Sequence, residues 1–296
     1  MRSRTWLGRG LLILAAALAV TAVLGPLVLD VIHYRTSPTS LDQIVGVDAA
    51  SLFLAVPACL VAGVLVLRSH PAGPVLGLAP AVFAAYTSTQ LIIGNEYRDL
   101  AGNVERFFPL LLGVFVLAGA LAVTAWTASS ETPLPRTGGD RLAGILLLVI
   151  AAFIVVGLHL PSYLDALSDS PSNVGNLTSP TAFWVVKFMD LGIVAPAAIV
   201  VGVGMIRRRR WARRPMYALV GGYALLGASV AAMAVTMYAA DDPDSSLGIA
   251  VAASVAGAAL LGLAIYLYRP LFGRRTQPQA ARATALAAEP LLRRTS

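Results

Sequence analysis

The chain has 296 residues, 57% of them hydrophobic and 12% charged, with a formal net charge of +7 and a mean hydropathy of +0.76. A water-soluble domain carries about 25% charged residues, so this composition excludes an ordinary soluble fold and points to a bilayer as solvent. The single cysteine, Cys59, excludes an intramolecular disulfide and a dithiol redox pair.

At about 20 apolar residues per crossing, the sequence predicts an all-α, polytopic transmembrane helical bundle. Its eight or so spans lie near 8–30, 46–67, 73–94, 107–128, 142–161, 182–206, 216–239 and 246–268. The N-terminus imitates a secretory signal. Its apolar run continues past Pro26 to about Ile32, longer than a signal core, so it reads as an uncleaved first helix.

Arginines set the orientation. Alternate loops carry Arg2, Arg4 and Arg9, then Arg68, then Arg136 and Arg141, then RRRRWARR at 207–214, then the tail arginines from Arg269 to Arg294. The opposite loops hold only Arg35, Arg98 and Arg106. The positive-inside rule places both termini in the cytoplasm, which requires an even number of spans. Residues 1–268 then form the bundle, and 269–296 form a basic cytoplasmic tail, disordered or lying on the membrane surface. The pI near 10 follows from this topology. Base-stacking or groove-reading elements are not evident, so nucleic acid is not an expected partner. Anionic lipid headgroups are.

The other side is acidic, with Asp30, Asp42, Asp48, Glu96, Asp99, Glu105, Asp165, Asp169 and DDPD at 241–244. These read as solvated loops, or as a vestibule that attracts cations. DDPD lacks the spaced oxygens and the glycine of a calcium loop. The segment 162–180 is rich in turn residues and contains the sequon Asn176-Leu-Thr.

The second and sixth spans align without gaps. PACLVAGVLVLR from Pro57 to Arg68 matches PAAIVVGVGMIR from Pro196 to Arg207. The match suggests a 4+4 parallel repeat, an arrangement that some transporters use, although alanine- and valine-rich chains also align by chance. Lys187 falls opposite Asp48 in this register. Each proline removes a helix hydrogen bond and crowds the carbonyl four residues back, at Phe53 or Gly192. Such a carbonyl can bind a cation if it lines a cavity; otherwise it marks a kink.

Ionisable groups at membrane depth are costly and default to functional candidates. Asp48, Tyr86, Gln90, Lys187 and Asp190 form the candidate intramembrane polar site. His159, two residues before Pro161, is expected at the interface. Lys187 is the chain's only lysine and has two readings. It snorkels outward beside Asp190 as a neutralised pair, or the pair exchanges a proton during transport, which arginine could not do. It lies too shallow to serve as a retinal Schiff base. No HExxH, no strand-linked GxGxxG and no serine elbow occurs, so an enzyme is not indicated and no cofactor is expected. In the last span Gly248, Ala252, Ala253, Gly257, Ala258 and Gly262 form small-xxx-small pairs for close packing within the bundle or in a homo-oligomer.

VDAASLFLAVP and MDLGIVAP, the latter followed by the arginine cluster and a tryptophan, resemble an uncharacterised family of bacterial multispanning membrane proteins. The resemblance covers roughly 46–240 and implies a bacterial plasma membrane location, with no activity attached. Two function classes follow from the residues. One is a small transporter or permease-like protein with a path through the polar cluster. The alternative is a non-catalytic membrane scaffold or envelope sensor.

Overall fold

The computed structural model describes residues 2–272 apart from 133 and 135–137. Arg136 and the tail beyond Phe272 lie outside the described residues, so the expectation of a disordered tail is not addressed. Eight helices are long and apolar enough to cross a membrane: α1 (Arg4–Leu24), α2 (Pro38–Leu67), α3 (Ala72–Ile93), α4 (Val104–Ala128), α5 (Asp140–Ala166), α6 (Pro180–Ile206), α7 (Arg210–Ala239) and α8 (Leu247–Leu271). No strand occurs among the described residues. The chain is an integral membrane protein of multi-pass type.

Two helix ends differ from expectation, each for a local reason. α2 begins at Pro38, well before the apolar run. Ser37 caps it by accepting the Ser40 N–H, and Pro38 occupies the first turn, where its missing N–H costs nothing. α1 stops at Leu24, just before Gly25 and Pro26, and Leu24 O then accepts the N–H groups of Val31 and Ile32.

Two apolar cores are present. One joins α1, α2, α3 and α4 through Leu7, Leu11, Leu14, Cys59, Phe83 and Leu121. The other joins α5, α6, α7 and α8 through Leu147, Val201, Met205, Tyr217 and Tyr223, with Ala72 and Val75 of α3. The free Cys59 is buried in the first. The face turned away from both cores is apolar, with Phe53, Val123, Phe188 and Ile265 each about 70% exposed. In water such a surface would aggregate; in lipid it is ordinary.

The two cores are assembled alike. A Cβ built at Gly8 of α1 would lie 3.2 Å from the Gly63 carbonyl oxygen of α2, and one at Gly63 would lie 3.0 Å from that of Gly8. Gly144 of α5 and Gly202 of α6 cross in the same reciprocal way, at 2.8 and 2.9 Å. Leu67 flanks the first crossing and Ile206 the second. Gly63 with Gly202 and Leu67 with Ile206 coincide in the register that aligns Pro57 with Pro196, while Gly8 and Gly144 lie three residues off it.

That register extends in both directions. π-helical turns occupy Ser51–Ala55 and Asp190–Val194, and the residue before each proline bonds five residues back, to Ser51 O and to Asp190 O. The wider turn moves the backbone away from the proline ring. α2 and α6 both end in a residue with φ 56°, Ser69 and Arg208. The next N–H groups, His70 and Arg209, bond Leu65 O and Gly204 O, the same C-terminal cap twice. Two residues off that register, in α3 and α7, the buried Ser88 and Ser229 each donate to the carbonyl four residues back, Ala84 O and Leu225 O. Phe53 is exposed, and nothing lies within 4 Å of a Cβ built at Gly192, so both positions sit on the outward face of their helices.

Along the small-residue stripe of α8, Gly257 meets α7, where its Cβ would lie 2.9 Å from Gly227 O, while nothing lies within 4 Å at Gly262.

At the end of the bundle bearing most acidic residues, loops are clasped to helices. Arg35 holds Glu105 at 2.6 and 3.0 Å and Leu100 O at 2.7 Å. Glu96, buried after α3, accepts from the Thr181 N–H and hydroxyl, both at 2.6 Å, and so caps the positive end of α6 from a distant loop. Glu96→Ala leaves both donors without this partner and is expected to lower stability by about 2 kcal/mol, read as a fall in the unfolding midpoint that Glu96→Asp partly restores.

Candidate intramembrane polar site

Asp190 stands at the start of the π turn of α6 and is 8% exposed. Two other spans reach it. Tyr86 of α3 donates its hydroxyl to Oδ1 at 2.6 Å. His159 of α5, 4% exposed, places Nε2 2.9 Å from Oδ2. Both carboxylate oxygens are thus bonded. His159 closes the π turn Phe153–His159, just ahead of Pro161. A π turn inserts one residue and re-aims the side chains that follow, and here two such turns meet across the α5–α6 contact. Gln90, one turn beyond Tyr86, lies beside the Tyr86 hydroxyl.

Lys187 does not bond Asp190. It is 5% exposed and leans toward the start of α6, as helical side chains do. Its Nζ donates to Ser162 Oγ at 2.7 Å and lies 3.6 Å from the centroid of the Phe183 ring, a cation–π contact. The direction is that of a snorkelling lysine. The destination is a protein-lined pocket of hydroxyl and ring in place of open interface. Ser162 keeps the carbonyls of Leu158 and His159 as partners, so Lys187→Met orphans nothing. We expect it to shift stability by no more than about 1 kcal/mol, measured as a small change in the unfolding midpoint.

Asp48 is placed apart. It is 2% exposed and lines a separate cavity with Thr21, Ser51, Thr87 and Ser88. The five candidate residues therefore form two places. Tyr86, Gln90 and Asp190 come together, Lys187 stands one turn away toward the acidic end, and Asp48 belongs to the α1–α4 half. In the shared register Lys187 corresponds to Asp48, with opposite charge, and Asp190 corresponds to the uncharged Ser51.

His159 is the site residue missing from the five candidates. Its position before a proline suggested the interface, and the structure buries it. The remaining cavities near the site are apolar. One of about 270 Å³ is open toward the lipid-facing surface and lined by Phe83, Tyr86, Phe115, Val194 and Tyr223. The Tyr223 hydroxyl there donates to Val194 O at 2.8 Å. No group of three or more histidine, cysteine or carboxylate side chains that could hold a metal ion occurs among the described residues. No protein-family model matches the chain, and no match is found among curated proteins or solved structures.

Proposed function

We propose that the protein is a small transporter or permease-like protein of the bacterial plasma membrane. Its four-helix halves descend from a duplication, both termini are cytoplasmic, and the arginines at 207–214 rest on anionic lipid headgroups. One observation carries the transport reading: a buried carboxylate, Asp190, held by a tyrosine and a histidine from two other spans. Such a group is costly to place among apolar helices, and a bundle needing only cohesion is built as well from apolar side chains. A carboxylate bonded to a histidine can gain or lose a proton without rebuilding its surroundings. The matched glycine crossings and matched π turns support two rigid halves that can rock about the α2–α7 and α3–α7 contacts.

The second reading, a non-catalytic membrane scaffold, has its own support. Asp190, His159 and Lys187 all have partners inside the bundle, as a structural network would.

Charge movement separates the two. Proteoliposomes on a solid-supported membrane are given jumps of pH, of alkali cations, and of amino acids, sugars and organic cations. Transport predicts a current with at least one of these that Asp190→Asn abolishes. A folded wild type that is silent to all of them supports the scaffold.

A further inference from the structure

The cavity at Asp48 is built of oxygen acceptors. Thr21 donates its hydroxyl hydrogen to Ala17 O at 2.9 Å, Thr87 to Phe83 O at 3.0 Å, and Ser88 to Ala84 O at 2.6 Å. Each hydroxyl has spent its one hydrogen on its own helix, so lone pairs are what it can offer the cavity. Asp48 Oδ2 is fully buried and has no hydrogen-bond partner among the described residues. No ion pair of the described residues includes Asp48. The cavity sits at the end of α1, where Thr21 and Ala22 line it and the helix dipole is negative. A Cβ at Gly25 would collide with Asp48 Oδ2, so the chain approaches the carboxylate closely from that side. Above it, the Tyr34 hydroxyl is buried without a partner. Burial, and secondarily the Asp48 charge, raise its pKa well above the ordinary tyrosine value, which keeps it neutral.

The Thr21, Thr87 and Ser88 hydroxyls therefore face the cavity as acceptors, and Asp48 Oδ2 has nothing to accept from. A divalent ion is a poor fit, because one carboxylate leaves it half-neutralised after dehydration. The cavity volume is ≈ 10 Å³, room for about one water-sized sphere.

We propose that Asp48, with the hydroxyls of Thr21, Ser51, Thr87 and Ser88, binds one dehydrated monovalent cation of sodium size. The site lies in the α1–α4 half and does not depend on the transport reading, since a scaffold could hold the ion equally well.

Equilibrium binding of ²²Na⁺ to the purified full-length protein in detergent tests the site, with choline chloride holding ionic strength constant. The wild type is expected to bind about one Na⁺ per chain saturably, with lithium competing and choline not. Sodium should also raise the unfolding midpoint by roughly 3 °C at saturating concentration. Asp48→Asn and Gly25→Ala should each weaken binding at least tenfold, while Asp190→Asn leaves it unchanged. Absence of saturable binding to folded wild type overturns the proposal, with no variant needed. So does equal binding by a folded Asp48→Asn protein, or binding lost instead in Asp190→Asn. Current measurements decide the transport reading separately, so either idea can fail alone.

Discussion

Asp190→Leu is expected to be strongly destabilising. It leaves the Tyr86 hydroxyl and His159 Nε2 facing an apolar side chain at a position 8% exposed. Removing one member of a buried polar network costs about 3–5 kcal/mol, which corresponds to a fall of roughly 10 °C in the unfolding midpoint. The triple variant Asp190→Leu/His159→Leu/Tyr86→Phe behaves differently. It removes the whole network and orphans neither partner, and such replacements are often neutral or stabilising. We expect the triple variant to recover most of the lost midpoint. That recovery would mean the network is not needed for folding. A triple variant as unstable as the single one would mean that the polar contacts hold α3, α5 and α6 together.

The glycine crossings carry the second large effect. A Cβ at Gly144 or Gly202 meets a backbone carbonyl at 2.8–2.9 Å, and a backbone cannot rotate away as a side chain can. Gly202→Ala must push α5 and α6 apart, at a cost of about 1–3 kcal/mol. Gly202→Leu should prevent the pair from packing. In the other half the corresponding gaps are 3.0–3.2 Å, so Gly63→Ala should do less harm than Gly202→Ala. Gly262→Ala provides the control. Nothing lies within 4 Å of its Cβ, and the gain in helix propensity should make it neutral or stabilising by about 0.5–1 kcal/mol. Detergent-solubilised unfolding midpoints rank the four. If Gly262→Ala proves as harmful as Gly202→Ala, α8 faces a second copy of the chain and the assembly is larger than one bundle.

Hydropathy alone was enough to find eight helices, because length and apolarity are one-dimensional properties. It failed at Pro38, where a polar first turn extends α2 beyond the apolar run, and the Ser37 cap is the signal that hydropathy ignores. The match of PACLVAGVLVLR with PAAIVVGVGMIR pointed to a repeat. What the alignment could not contain is the geometry at Gly8, Gly63, Gly144 and Gly202, because a shared glycine says nothing about which carbonyl it faces. The π turns were invisible for a similar reason. Each proline announces a disturbed helix, yet whether the chain kinks or widens depends on what packs beside it.

The candidate site was legible as a list of residues and not as an arrangement. Tyr86 and Asp190 were named separately, and their meeting depends on the packing of α3 against α6. Lys187 seemed paired with Asp190 because they are three residues apart on one helix. The π turn beginning at Asp190 and the arrival of His159 turn the carboxylate elsewhere, and Lys187 goes to Ser162. Asp48 shares a register position with Lys187 but faces α1 and α3 of its own half. Its unpartnered oxygen is a fact of packing that no sequence pattern expresses.

The central claim is that Asp190 and its partners are kept for function. The decisive measurement is the pH-jump charge displacement of the triple Asp190→Leu/His159→Leu/Tyr86→Phe variant in proteoliposomes on a solid-supported membrane, beside the wild type. The account predicts a displacement in the wild type and none in a triple variant that is folded and similarly stable. Equal displacement in both proteins, or none in the wild type, would contradict it.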